Sequence, residues 1–224
     1  MWYLSFDCAF GSLAFCLLKY DPDGFVANVA LWARINAIRA GKHDPHEIDA
    51  VCHELGQYLF LLDCDVVNVL EAHVSECTVD KLEALITYVH NRIYKYVPAL
   101  REMQGRVLVE YQMGQNMAAR TVSVALCTLF ISEGIDVRLV APSLKNKIFF
   151  CEEGRWCYFA ERYSNPYSAN KEHARFNFQY ILKNGLPGNP ALKGVLGDKK
   201  TIGHIADAFM QVLGYKQAGE PKAF

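Results

Sequence analysis

Trp2-Tyr-Leu-Ser-Phe-Asp7-Cys8-Ala-Phe-Gly11-Ser12-Leu13-Ala-Phe-Cys-Leu-Leu-Lys-Tyr20 is the stretch that decides how this chain folds. Residues 2 to 8 and 13 to 20 are rich in aromatic and aliphatic side chains, and the short turn at Gly11 and Ser12 makes them a β-hairpin. Asp7 interrupts the apolar run of the first strand. Strand alternation puts Tyr3 and Ser5 on its side, and a carboxylate in such a strand needs a partner or a metal ion, because an isolated buried charge is too costly. Asp7 and the lack of a basic start also argue against a signal peptide or membrane anchor over residues 1 to 18.

Working outward, residues 59 to 70 (Leu-Phe-Leu-Leu-Asp-Cys-Asp-Val-Val-Asn-Val-Leu) read as a third strand of the same sheet. The stretch 21 to 57 opens with Asp-Pro-Asp-Gly, carries mixed helical periodicity and is expected to be a partly helical insertion. From Val79 the apolar positions 82, 85, 86, 89, 93 and 97 keep the 3.6-residue period, and Pro98 is expected to end that helix. Arg106 to Gln112 reads as a buried strand. A second helix runs from about Asn116 to Ser132 and stops before Gly134, and Asp136 to Ala141 is a short strand closed by Pro142. An irregular basic region and a C-terminal helix complete the order. The pattern predicts an α/β fold with a mixed central β-sheet flanked by helices, in one domain over 1–224 with its insertion at 21–57.

The net charge of −1 conceals an asymmetry: residues 1 to 137 carry 10 Lys and Arg against 17 Asp and Glu, whereas residues 138 to 200 carry 11 against 5. A nucleic-acid surface belongs on that C-terminal third, where cations can displace phosphate counterions; solvated surface charge is the plainer alternative. The eight cysteines form no CxxC pair and no disulfide-like spacing, which implies a reducing, intracellular compartment. Cys52 and His53 with His43 and His46 match no standard zinc spacing.

Glu110 repeats the problem of Asp7 in the strand Arg106 to Gln112. If the two strands are neighbours, both acids point into one cleft, and one pKa rises unless a cation lies between them. His204 and Asp207 stand three apart in Thr201-Ile-Gly-His-Ile-Ala-Asp-Ala-Phe209, so they share a helix face, with Thr201 the expected N-cap. Three carboxylates and an imidazole from the start, middle and end of the chain form a donor set for divalent cations that hydrolyse phosphodiesters. Magnesium suits such hard oxygen ligands.

These residues resemble a family. Ser5-Phe-Asp-Cys-Ala-Phe-Gly-Ser-Leu-Ala-Phe-Cys-Leu-Leu18 is similar to the first hairpin of the RuvC and poxvirus-type Holliday junction resolvases. Val107-Leu-Val-Glu-Tyr-Gln-Met-Gly-Gln-Asn116 resembles their second acidic motif, Val140-Ala-Pro-Ser-Leu-Lys145 the strand and Pro-x-x-Lys that follow, and His204-Ile-Ala-Asp-Ala-Phe209 the closing acidic helix. The resemblance covers most of the chain in order. It implies an RNase H-like fold in which the Asp7 and Glu110 strands are adjacent. It further implies that Asp7, Glu110, His204 and Asp207 bind two Mg2+ ions, with Mn2+ able to substitute, and that hydrolysis leaves 5′-phosphate nicks in four-way junctions. Lys145 becomes a catalytic candidate as a phosphate contact or transition-state stabiliser, and Lys171 is its rival. Departures are the loss of a common glycine around Cys8-Ala9, His204 where many poxvirus-type members carry Asp, and a 21–57 segment without obvious counterpart.

A four-way junction has near-twofold symmetry, so paired cuts call for a homodimer. The helix at 116 to 132 is apolar on more than one side and could serve core and interface, or core alone. Lys145, Lys147, Lys171, Arg175, Lys199 and Lys200 are the expected branched-DNA contacts. Aromatic residues such as Trp156, Tyr163, Tyr167 and Phe176 interleave with basic ones, either to stack on unpaired bases or to pack under a loop. The rivals are an RNase H-like nuclease acting on flaps, forks or RNA/DNA hybrids, and an inactive branched-DNA-binding protein. A viral member would work in a cytoplasmic factory or the nucleus.

Overall fold

The computed structural model describes residues 1–9, 11–21, 29–39, 45–68, 78–111, 117–146, 161–186, 189 and 199–218. The hairpin is present: β1 (Trp2–Cys8) and β2 (Ser12–Tyr20) pair antiparallel from Trp2↔Lys19 to Cys8↔Leu13. Helices α1 (Val29–Arg39) and α2 (Pro45–Tyr58) follow, then β3 (Leu59–Asn68), which extends the sheet antiparallel to β2. Next come α3 (Thr78–Arg92), a 3-10 turn and the short α4 (Val97–Glu102). Strand β4 (Arg106–Glu110), α5 (Met117–Ser132) and β5 (Asp136–Val140) form a β-α-β unit. A 3-10 segment (Pro142–Asn146), α6 (Pro166–Asn184) and α7 (Lys199–Gln217) complete the described elements.

The sheet order is β3-β2-β1-β4-β5, with β4 parallel to both β1 and β5. It is therefore the mixed, helix-flanked sheet that the pattern of elements predicts. Period-two alternation divides it into two cores. Tyr3, Cys16 and Leu108 face α1, α2, α6 and α7, while Leu4, Phe6, Phe15, Val107 and Val109 face α3, α4 and α5. The described part of the 21–57 stretch is two helices, and Leu31, Ile35, Val51 and Leu55 are buried in the first of these cores.

Three expectations are corrected. Pro98 opens α4 rather than ending the preceding helix; in a first helical turn its missing N–H costs nothing. The basic region is not irregular throughout, since 19 of its residues form α6, capped by the Asn165 side chain accepting from the Ser168 N–H at 2.8 Å. Thr201 is not an N-cap, because α7 has already begun at Lys199, which places His204 beyond the first turn.

Candidate active site

Parallel pairing sets the first half of the site. Phe6 pairs with Val109, and one step further along the same register brings Asp7 beside Glu110 at the carboxyl ends of β1 and β4. Both acids lie on the face covered by α7, as alternation from Tyr3 and Leu108 requires. The Ser123 hydroxyl of α5, in reach of the Glu110 carbonyl at 3.2 Å, ties that helix to the end of β4. Helix α7 lies across β1 and β2 and supplies the other half: His204 Nδ1 is 2.7 Å from Asp7 Oδ2, across a separation of 197 residues.

Behind them sits Asp207, fully buried. Lys145 Nζ donates to Asp207 Oδ2 at 2.9 Å and to Glu110 Oε1 at 3.4 Å, and Lys171 Nζ is 3.3 Å from the same Asp207 oxygen. Neither candidate lysine displaces the other: one arrives from the 3-10 turn after β5 and one from α6. A cleft of about 470 Å³ opens onto this cluster, lined by Asp7, Glu110, Lys145, Lys171 and His204, with Ser143, Asn146, Tyr167 and Asn170 around them. Tyr167 is one of the aromatic residues that the sequence interleaves with basic ones, whereas Ser143, Asn146 and Asn170 carry no signal, since isolated serine and asparagine residues occur throughout any chain.

Close packing of like charges separates the carboxyls. Burial would raise Asp7, but hydrogen bonds from His204 and Glu110 and the charges of Lys145 and Lys171 outweigh it and hold Asp7 well below the usual carboxylate range. Burial, followed by the neighbouring Asp7 carboxyl, pushes Glu110 up to about 8. Burial also raises Asp207, against the pull of Lys145. For Lys145 burial works against the ammonium, yet Asp207, Asp7 and Glu110 raise it further and keep it charged. Cys8, at the cleft wall, is driven up by burial and by Asp7, so it is no thiolate nucleophile.

The donor chemistry suits a hard divalent cation. Asp7 contacts His204, Glu110 and Asp207 are linked through Lys145, and Glu110 Oε2 and Asp207 Oδ1 are buried without a hydrogen-bond partner. Among the described residues no three His, Cys, Asp or Glu side chains stand close enough to form a metal cluster, and the Lys145 ammonium lies between Glu110 and Asp207. The zinc alternative finds no support: Cys52 is buried in the core whereas the adjacent His53 is exposed.

The expected DNA contacts divide. Lys145 and Lys171 are in the cleft. Arg175 and Lys199 both pair with Glu172, Arg175 Nη2 at 2.5 Å and Lys199 Nζ at 3.1 Å. Lys147, the side chain of Lys200, His43, Gln112, Asn116 and Trp156 lie outside the described residues. Among the described residues no helix is long and apolar enough to cross a membrane.

No protein-family model and no curated protein matches this chain. Among solved structures it is similar to Thermus thermophilus RuvC, with TM-score 0.48 and 14% identity over 98% of this chain and 97% of that one. It is similar also to T. thermophilus RuvC in complex with Holliday junction substrate, with TM-score 0.46, 14% identity and the same coverages. A third is the Fowlpox virus resolvase in complex with its substrate Holliday junction DNA, with TM-score 0.48 and 13% identity over 99% of this chain and 100% of that one.

Proposed function

We propose that this chain is a magnesium-dependent, structure-selective DNA endonuclease that resolves four-way junctions, acting as a homodimer to make paired symmetric nicks with 5′-phosphate ends. The observation that carries the reading is the convergence of Asp7, Glu110, His204 and Asp207, from three distant parts of the chain, around one cleft that also holds Lys145 and Lys171. The choice of branched DNA over flaps, forks or hybrids rests on the ordered motif resemblance.

Asp7, Glu110, His204 and Asp207 would hold the Mg2+ ions, whose chemistry here is to acidify water and to offset charge on the phosphate. The chain's own groups do the rest. Asp7 accepts from His204 and fixes the imidazole against the end of β1. Lys145 and Lys171 present ammonium groups to a phosphate entering the cleft, where charge developing on its oxygens is offset in a partly dry site. Water attacks phosphorus, the bond to the 3′ oxygen breaks, and that oxygen leaves with a proton. Tyr167, 65% exposed at the rim with Lys171 Nζ 5.5 Å from its ring centre, offers a face to a neighbouring base or sugar.

The test is cleavage of a labelled four-way junction, with linear duplex, flap and RNA/DNA hybrid controls, by the wild type and Asp7→Asn, with and without Mg2+. Symmetric paired nicks confined to the wild type with metal are expected, with Asp7→Asn slower by roughly a hundredfold or more. Preferential cutting of flaps or hybrids would replace the junction reading with its nearest rival. Tight junction binding without cleavage in Mg2+ or Mn2+ would leave a structural DNA-binding protein.

A further inference from the structure

Asp207 is the deepest of the acids and does not line the cleft; the two lysines that contact it do. Lys145 bonds both Asp207 and Glu110, so an ammonium already joins two of the carboxylates that would hold a divalent ion. Its side chain is 9% exposed, which leaves it little water to retreat into without moving toward the cleft. Lys171, 28% exposed, closes over the same Asp207 oxygen from α6.

We propose that Lys145, seconded by Lys171, is a built-in counter-cation occupying a divalent-ion position between Glu110 and Asp207, so that metal ions and the DNA phosphate load together. This deepens the nuclease reading and rests on it. The two ammoniums offset most of the carboxylate charge and already hold the oxygens a cation would need, so an entering dication gains little net attraction and meets a like charge at contact distance in a site poorly screened by solvent. A scissile phosphate changes the balance. It brings negative charge and oxygens that can accept the displaced ammonium of Lys145 while its other oxygens face the metal position. Binding of each ligand then favours the other, and by linkage the factor is the same in both directions.

The direct probe is Mn2+ alone, titrated into the 224-residue chain without DNA and followed by the electron paramagnetic resonance of the free ion. Wild type is expected to bind weakly, and Lys145→Met, which keeps the length of the side chain without its charge, at least roughly tenfold more tightly. Lys171→Met is a second variant at a more exposed position, expected to shift in the same direction by less. Should Lys145→Met fail to fold in a thermal melt, Lys171→Met carries the test. For whichever variant folds, a larger rise in melting temperature on adding Mn2+ than in wild type is the second expected result. Tight Mn2+ binding by wild type that weakens or stays unchanged in the variants overturns the counter-cation. The nuclease reading has a separate readout: junction cleavage by a wild type that binds Mn2+ tightly would preserve the enzyme and discard the lysine's role, whereas the expected Mn2+ pattern without any DNA cleavage would do the reverse.

Discussion

At the scale of single residues, conspicuous side chains were those in the wrong company. Asp7 and Glu110 are lone acids in apolar strands, and the cost of burying an unpaired charge marks them before any contact is known. Asp207 is marked by its spacing from His204 and by the motif that the two share, and Lys171 by little beyond its sign, because a basic residue on a helix surface is ordinary. Another buried group escaped the sequence reading. His173 on α6 is 1% exposed, and burial lowers it from the ordinary histidine value to about 4. The unfolded chain takes up that proton near pH 6.5 and the folded chain only near 4, so the native state loses stability as pH falls between those values. The loss is about 3 kcal/mol when complete. Denaturant unfolding of wild type and His173→Gln at pH 7 and pH 4.5 checks this: the gap between the two pH values should shrink in the variant, and an equal gap would show that other groups cause the acid sensitivity.

Among elements, strands were more legible than helices. β1, β2 and β3 show themselves by dense aliphatic and aromatic runs, whereas α6 is masked because His173 and Asn177 occupy its buried face alongside Ala174, Phe178 and Ile181. A polar residue on the inward stripe weakens the apolar period on which a helix is recognised. The Asn165-Pro166 start was the available signal. How α7 meets the 3-10 turn at Pro142–Asn146 was out of reach, since it depends on Gly214: a Cβ there would collide with the Leu144 carbonyl oxygen. That close approach seats Lys145 against Asp207, the latter one turn pair earlier on the same helix. Gly214→Ala should therefore force the turn away, costing about 1–3 kcal/mol of stability and loosening the Lys145 contact. The check is a thermal melt together with Mn2+ titration, in which unchanged stability would mean the turn yields freely.

For the whole molecule, one outward face remains to be placed. On α5, Met117, Val124 and Ile131 recur at seven-residue intervals and are 65%, 57% and 60% exposed, with Leu139 of the edge strand β5 55% exposed. The Thr121 and Thr128 hydroxyls turn back to the carbonyls of Met117 and Val124, which keeps their polar atoms on the helix backbone. This is the surface the proposed homodimer would use, the same helix packing Val122, Leu126 and Phe130 into its own core. The double variant Val124→Glu with Ile131→Glu should shift sedimentation from dimer to monomer and turn paired nicking into single uncoupled nicks; a dimer that survives it would move the interface elsewhere.

By itself the sequence determined the strands, the mixed α/β class and the acids that had to find partners, because these follow from local spacing and from the cost of desolvating a charge. Tertiary structure alone decided that β4 lies parallel beside β1, that α7 lays His204 on Asp7, and that Lys145 and Lys171 both reach Asp207. Each of these joins residues scores of positions apart. Their meeting is set by the packing of helices onto the sheet, which no local pattern of residues encodes.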